Sequence, residues 1–270
     1  MTARIAPLPD RAVVAVTGPD ARTFLHGLLS QDALSLEPGQ VRFGALLSPP
    51  GRLLFDLFLW GDADGVRLDV AAARRDALIA RLTMHRLRAQ VAITSEDTPV
   101  WAAWGAPVAG FTPDPRLAAL GGRRLGEASA NATIDDWTDH RLALGVPDPD
   151  ADCGIDRTYP IEANFDLLNG IDFSKGCFIG QETTSRMKRR GTLKTRMLPL
   201  AFDGPLPPPG TEVLTGDLRA GEVLTGRDGK AIGLMRLDRI AGPLTADGRP
   251  LQVERPEWMG DALAPPPPPP

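Results

Sequence analysis

The chain has 270 residues, 43% of them apolar, and a formal net charge of −4. This length allows one large or two modest domains, and the near balance of charge excludes nucleic-acid binding by bulk electrostatics. Two cysteines cannot make a disulfide framework, which is typical of a reducing compartment. No apolar run approaches the roughly 20 residues of a membrane helix, and residues 1–11 lack the apolar part of a signal peptide. We therefore predict a cytoplasmic protein that does not bind a membrane.

The first part of the chain predicts an α+β unit built on antiparallel hairpins. Short apolar or alternating runs predict strands at 13–16, 41–47, 53–60, 66–70, 91–94 and 100–104. A helix is expected after Asp20. A second helix over 73–87 would bury Leu78, Leu82 and Leu87. Residues 105–130 are rich in glycine, proline and alanine and predict no clear element.

The second part predicts two helices and then a small barrel. Asp135 or Asp136 can cap a helix that ends at Gly145, and a short helix is expected from Tyr159 through Leu168. After the segment 195–202 and a proline-rich linker, short strands separated by glycine turns are predicted at 212–214, 220–225, 231–237 and 250–253. This spacing suggests a small β-barrel. The six terminal prolines predict a polyproline II tail.

A cysteine in a glycine-flanked turn is the most unusual feature of the sequence. Residues 175–182 read KGCFIGQE, so Cys177 follows Lys175 by two positions and lies between Gly176 and Gly180. A neighbouring ammonium group and free backbone N–H groups favour a thiolate, which predicts a nucleophilic or redox-active residue. A small thiol that only fills a tight loop explains the pattern equally well.

The rest of the sequence offers this cysteine few partners. The only other cysteine is Cys153, and His26, His85 and His140 lack metal-ligand spacing. Because an iron–sulfur cluster usually needs four thiolates, we expect that the chain does not hold a cluster by itself. The sequence also lacks a nucleotide-binding loop and a nucleophile elbow.

Two acidic residues stand in apolar surroundings. Glu162 lies in a mainly apolar segment, and Asp56 lies within the apolar run 53–60. A buried carboxylate needs a polar partner, so each residue could cap or pair with a protein group. Each could equally hold the donors of a ligand, and a carboxylate suits the parallel N–H groups of a pterin ring.

A basic run follows the cysteine turn. Its members are Arg186, Lys188, Arg189, Arg190, Lys194 and Arg196. They could meet an anionic ligand tail such as a folate glutamate, contact RNA, or form a solvated face, which is the commonest role of a charge run. The sequence leaves these three alternatives open.

Three segments resemble the YgfZ branch of the folate-binding aminomethyltransferase superfamily, whose better-known member is the T-protein of the glycine cleavage system. The segments are LLSQD at 28–32 with GRLLFD at 51–56, PIEANFDLL at 160–168 with GIDF at 170–173, and KGCFIGQE at 175–182 with Arg186 and Arg190-Gly191. Their order and spacing match over residues 10–240.

This resemblance implies a fold. We expect a GcvT-like α+β fold of antiparallel sheets with flanking helices, followed by a small C-terminal β-barrel. The folate-binding region would occupy residues 1–195, with two subdomains that divide near 100–130. The barrel would occupy 196–260, and a proline-rich tail 261–270.

The resemblance also implies a cofactor and site residues. The cofactor would be tetrahydrofolate or a derivative, and Glu162 matches the pterin-binding glutamate of the family. The further cofactor-binding candidates are Asn164, Gln181 and Arg186. The catalytic candidates are Cys177, Lys175 and Asp56.

Two functions follow from the resemblance. The first is a folate-binding factor that uses Cys177 to assist assembly or repair of iron–sulfur clusters in client proteins, including tRNA-modifying enzymes. The alternative is a folate-dependent aminomethyl- or methyl-transferase or demethylase that acts on a small amine and needs Asp56. The T-protein has two aspartates where this chain has Phe55 and Asp56, which disfavours the alternative. RNA binding through the basic run is a weaker third hypothesis, and we do not expect direct nucleic-acid binding.

Overall fold

The structure is a computed structural model that describes residues 2–191 and 193–263, without the side chains of Asp261 and Leu263. In this part of the chain, two antiparallel sheets and a closed barrel are joined by five α-helices. None of the helices within these ranges is both long enough and apolar enough to span a bilayer. The polyproline tail predicted at 261–270 lies almost entirely beyond the described residues.

A five-stranded sheet forms the first layer. Its strands, in order of pairing, are β3 (Val41–Leu47), β4 (Leu53–Gly61), β5 (Gly65–Ala71), β2 (Arg11–Thr17) and β6 (Ala92–Glu96). Helices α1 (Ala21–Leu28) and α2 (Arg75–Arg86) cover one face. Their inward leucines, among them Leu25, Leu78 and Leu82, share one apolar core with the strands, as their helical spacing requires.

A four-stranded sheet adjoins the first. It pairs in the order β1 (Arg4–Pro7), β7 (Val100–Trp104), β9 (Gly122–Leu125) and β8 (Thr112–Pro113). Helix α3 (Ile134–Ala143) packs against it, with the rings of Trp104 and Trp137 5.6 Å apart. Residues 100–125, near the predicted subdomain boundary, thus supply three of these strands.

The C-terminal part is a closed six-stranded barrel. Its strands pair in the order β10 (Thr195–Phe202), β13 (Lys230–Arg236), β12 (Leu218–Arg227), β11 (Glu212–Thr215), β14 (Leu244–Ala246) and β15 (Arg249–Val253). The barrel closes because β15 pairs back to β10. The short strands and glycine turns of the sequence predict this element correctly.

The predicted helix from Tyr159 through Leu168 is wrong. The segment is a succession of turns between the short helix α4 (Pro149–Asp152) and α5 (Gln181–Arg190). Asn164 and Asn169 have φ values of +64° and +56°, and such left-handed residues cannot continue a right-handed helix. The apolar side chains instead pack singly into the core beneath β3 and β4.

Two helix ends also differ from the prediction. Leu87 is 89% exposed rather than buried, because α2 ends at Arg86 and Leu87 turns to a φ of +44°. Helix α3 is capped by Thr133, and Asp136 completes a capping box with it. Asp136 is therefore the partner of the cap rather than the cap itself.

Candidate functional site

Ser30 joins the first of the three sequence segments to the second. Its hydroxyl donates to the carbonyl of Gly170 at 2.6 Å and accepts the N–H of Ala45 at 2.8 Å. Its own carbonyl accepts the N–H of Asp172 at 2.9 Å. Because Ser30 follows α1 and Ala45 lies in β3, this buried serine fixes residues 170–172 against both elements.

Glycines join the first segment to the third. The turn at Gly51 lies against Gly180, the residue before α5, and both have positive φ. A Cβ on Gly180 would lie 2.8 Å from the Cα of Gly51 and 2.8 Å from the carbonyl oxygen of Ser48. Only glycine allows this approach of two backbones. The third segment is therefore held directly on the sheet.

Lys175 binds the end of helix α1. Its Nζ donates to the carbonyl oxygens of His26, Leu29 and Gln31 at 2.5, 2.6 and 3.2 Å. Carbonyls at a helix C-terminus lack helical partners and carry partial negative charge, so they suit an ammonium group. The three donors of Lys175 are thus engaged by the fold, which gives this residue a positioning role.

Burial also acts on this ammonium. It lowers the pKa of Lys175 to about 8, against the opposing attraction of Asp32 and Asp172. The Nζ lies 5.1 Å from the centroid of the Phe178 ring, within the range of a cation–π contact. Lys175 and Phe178 therefore anchor the turn on both sides of Cys177.

Cys177 itself is exposed, whereas Phe178 is buried. The preceding Gly176 lies beside the ring of His26, whose Nε2 would be 3.7 Å from a Cβ at that glycine. The anchored turn thus presents one thiol to the outside. Among the described residues, no three His, Cys, Asp or Glu side chains are placed to hold a metal ion.

The second thiol differs in its environment. Cys153 is half-buried and packs against the core beneath β3 and β4. Burial, followed by the charge of Asp152, raises the pKa of the Cys153 thiol well above its usual value. This thiol is therefore held in the protonated, unreactive form.

Glu162 and Asn164 are engaged within the protein. The carboxylate of Glu162 accepts the N–H of Tyr159 at 2.9 Å and the hydroxyl of Thr195 at 2.5 Å. Asn164 is fully buried, donates to the carbonyl of Met197 at 2.9 Å and accepts from Arg196 at 2.8 Å. These contacts join the turns at 159–168 to strand β10, so both side chains have a structural role in the protein.

Asp56 belongs to a buried chain of alternating charges, the central ion chain. Its members, in order of contact, are Asp56, Arg11, Asp69, Arg123, Asp114 and Arg116. Arg11 binds Asp56 at 2.9 Å and Asp69 at 2.6 Å, and Arg123 binds the other oxygen of Asp69 at 2.6 Å. Burial by itself would raise the pKa of Asp69, but Arg11 and Arg123 lower it below its usual value.

The ring of Phe58 lies among the arginines of this chain. The guanidinium carbons of Arg123, Arg116 and Arg11 lie 3.8, 4.9 and 5.5 Å from its centroid. Such contacts stabilise a cation that is removed from water. The centre of the molecule is thus filled with paired charges and an aromatic ring.

These residues do not fit tetrahydrofolate. Asp56 lines two cavities, of about 30 Å³ and about 10 Å³, whereas ligand pockets usually measure about 300–1,000 Å³. The larger cavity exceeds the roughly 10–15 Å³ that one water molecule needs, but it is far smaller than a pocket for a pterin ring. The carboxylate of Asp56 is bound by Arg11. The carboxylate of Glu162 and the amide of Asn164 are engaged as described.

The remaining candidates lie on α5. Gln181 is its first residue and is half-buried, and Arg186 is exposed one turn later. Neither adjoins the two small cavities beside Asp56. The candidate residues are therefore divided between the buried centre and the surface around Cys177.

Sequence reasoning missed five members of the central ion chain. Asp69 gave a signal, because it is an acid in the apolar strand β5, opposite Phe58 of β4. Its arginine partners gave none, since Arg11 and Arg123 lie 58 and 54 residues away along the chain.

The fold is similar to that of known proteins. A family model described as "CAF17, C-terminal beta-barrel domain" matches residues 194–261. The glycine cleavage system aminomethyltransferase T of Bartonella henselae is similar with a TM-score of 0.76 over 95% of this chain and 86% of that one, at 19% identity. The predicted fold class, GcvT-like with a C-terminal barrel, is confirmed.

Two relatives decide the family. A mitochondrial iron–sulfur cluster assembly factor IBA57 homolog of Phaeosphaeria nodorum is 33% identical over 85% of this chain and 68% of its own length. The mitochondrial iron–sulfur cluster assembly factor IBA57 of Homo sapiens is 31% identical over 88% of this chain and 78% of its own. The chain belongs to the IBA57 family. The relatives carry the name IBA57 rather than YgfZ, and the aminomethyltransferase structure shows the predicted fold.

The predicted cytoplasmic location is wrong. The IBA57 relatives of Phaeosphaeria nodorum, Homo sapiens and Mus musculus are all mitochondrial proteins. The prediction depended on two unpaired cysteines and on the lack of apolar segments. Those features indicate a reducing environment, and they do not distinguish the cytoplasm from another compartment of that kind.

Proposed function

We propose that this chain assists the assembly or repair of iron–sulfur clusters in client proteins, and that it does so by presenting the thiol of Cys177 to its partner as a ligand. The assembly role is supported by the relatives, which are iron–sulfur cluster assembly factors. The observation that supports the residue is the exposure of Cys177 on a turn that Lys175 and Phe178 hold in place.

The partner is part of this proposal because the chain offers too few ligands. A cluster usually takes four thiolates, the chain has two cysteines, and Cys153 is half-buried with a raised pKa. The client, or a cluster carrier, supplies the remaining ligands. Among possible clients, the tRNA-modifying enzymes that the resemblance implies are the first to assay.

Tetrahydrofolate has no step in this proposal. The cavities beside Asp56 are too small for a pterin, and its carboxylate is bound by Arg11. The same contacts count against the transferase alternative, because that reaction needs Asp56 free to face a folate nitrogen. We therefore propose cluster assembly alone.

Complementation tests the proposal. Cells that lack their own copy of this protein would receive wild type, Cys177→Ala or Cys153→Ala, each at equal abundance, and iron–sulfur enzyme activities would be measured. We expect activity with wild type and Cys153→Ala, and its loss with Cys177→Ala. Full activity with Cys177→Ala would refute the role of this thiol.

A further inference from the structure

The exposed side of helix α5 has no role in the function proposed above. The helix carries four basic residues and one acidic residue within ten positions, although the whole chain has a net charge of −4. Arg186, Arg189 and Arg190 follow the i, i+3, i+4 spacing that places side chains on one helix face. All three are exposed.

The structure divides the basic run into two groups. Arg196 is buried and binds Asp166 at 3.0 Å, and Lys188 lies 3.7 Å from the same carboxylate. Among the ion pairs of the described residues, Arg186, Arg189 and Arg190 have no part. These three arginines form a positive face without a direct ion pair in the described part of the chain, with Glu182 one turn before Arg186 as the one acidic residue of α5.

A structural role accounts for only part of this face. Arg189 and Arg190 lie in the last turn of α5, where basic residues stabilise the helix dipole, whereas Arg186 lies before that turn. Like charges at i, i+3 and i+4 repel one another. A bound anionic group would relieve the repulsion among the three arginines.

This face lies next to the thiol. Helix α5 begins four residues after Cys177, and its rise of about 1.5 Å per residue places the arginines within about 15 Å of its first turn. Phe173 is 38% exposed and lies 5.4 Å from Nζ of Lys188. We call Cys177, Phe173, Arg186, Arg189 and Arg190 the thiol surface.

We infer that the thiol surface docks an acidic face of the protein that supplies the remaining cluster ligands. This inference rests on the function proposed above. A site rich in thiolates is itself anionic, and complementary charge would steer it towards Cys177. RNA fits less well, because single-stranded RNA needs aromatic platforms along a basic groove, and this surface has one exposed ring.

Two disulfide probes of opposite charge test the electrostatic potential that the three arginines exert at the Cys177 thiol. Oxidised glutathione is an anion and cystamine is a cation at neutral pH. In each reaction the Cys177 thiolate attacks one sulfur, a mixed disulfide forms, and one thiolate leaves. The ratio of the two rates is measured in Cys153→Ala, so that Cys177 is the only thiol.

We expect Arg186→Glu/Arg189→Glu/Arg190→Glu to lower the glutathione-to-cystamine rate ratio by about tenfold or more at low salt. A matched triple variant with Arg81→Glu/Arg86→Glu/Arg88→Glu on and after α2 should leave the ratio near that of the parent. A ratio that is unchanged by the α5 variant would overturn the inference, because the arginines would then exert no field at Cys177.

Complementation with the same variants separates the two proposals. Loss of iron–sulfur enzyme activity with both Cys177→Ala and the α5 variant supports both. Activity retained by the α5 variant but lost with Cys177→Ala overturns the docking inference alone, whereas activity retained by Cys177→Ala overturns the proposed function. Titration with polyuridylate tests whether the thiol surface binds RNA instead. Tight binding that is lost in the α5 variant would overturn the inference in favour of an RNA partner.

Discussion

Gly180 packs its backbone directly against Gly51, so that a Cβ on Gly180 would lie 2.8 Å from the Cα of Gly51. This contact joins the turn before β4 to the turn before α5. Cys177 lies three residues before Gly180 and is exposed. The position of the exposed thiol therefore depends on two glycines that have no reactive side chain.

Substitution of Gly180 tests this dependence. Gly180→Ala must strain a residue with a φ of +80° and also displace the Gly51 turn, so we expect a loss of about 2–4 kcal/mol in unfolding free energy. Gly191→Ala is the matched control, with a φ of +64° and open space around it, and should cost about 1 kcal/mol. Urea denaturation measures both, and equal losses would contradict the contact.

The central ion chain makes a second prediction. Arg11→Met leaves the carboxylates of Asp56 and Asp69 without their shared partner in a buried site, and breaking such a pair costs about 3–5 kcal/mol. Arg236→Met removes an exposed pair with Asp238 and should leave the stability almost unchanged, because such pairs are screened by solvent. A loss below about 1 kcal/mol for Arg11→Met would mean that these charges are not buried in solution.

The buried carboxyl group of Asp152 should make the stability of the protein depend on pH. This buried carboxylate accepts the hydroxyl of Thr225 at 2.5 Å and the N–H of Asp148 at 2.7 Å, and burial raises its pKa from 3.8 to about 6. The folded state therefore binds this proton more tightly than the unfolded state. The stability that it contributes is present below about pH 4 and is lost as the pH rises to about 6.

The variant Asp152→Asn does not titrate and serves as the reference. We expect the unfolding free energy of wild type to fall relative to Asp152→Asn, by at most about 3 kcal/mol, between about pH 4 and about pH 7. Denaturant titrations at several pH values across this range give the difference. Parallel pH profiles for the two proteins would contradict the raised pKa.

Tetrahydrofolate gives a fourth prediction. Because the cavities beside Asp56 measure about 30 and 10 Å³, the cofactor should not raise the melting temperature, as any ligand of the folded state would. Glu162→Ala should lower the stability by about 1–3 kcal/mol with or without the cofactor, because it leaves the N–H of Tyr159 without its partner. A saturable rise in melting temperature with the wild type that is absent in Glu162→Ala would contradict this prediction and support a contact between Glu162 and the pterin.

The sequence predicts the parts of the fold that depend on local pattern. Alternating apolar residues and glycine turns locate β3, β4, β5 and four barrel strands, β11, β12, β13 and β15, because each strand must bury one face. The short strand β14 was missed. The turn segment at 159–168 is mispredicted, because its shape depends on two left-handed asparagines and on Asn164 binding Met197 in the barrel. Contacts of this kind join distant residues and leave no periodic signal.

The candidate site divides in the same way. Cys177 could be selected from the sequence, since its glycine and lysine neighbours are adjacent to it. The roles of Lys175 and Asp56 could not, because the carbonyls that bind Lys175 lie 144 or more residues away and Arg11 lies 45 residues from Asp56. Sequence proximity suggested that Lys175 activates the thiol, whereas in the structure it binds the end of α1.

The central claim is that Cys177 provides one thiolate and that a partner provides the others. Anaerobic reconstitution with iron and sulfide tests it, with excess glutathione standing in for the partner's thiolates. After gel filtration, we expect wild type and Cys153→Ala to retain iron and sulfide only when glutathione is present, and Cys177→Ala to retain neither. A stoichiometric cluster on wild type without added thiol, or an equal cluster on Cys177→Ala, would contradict the account.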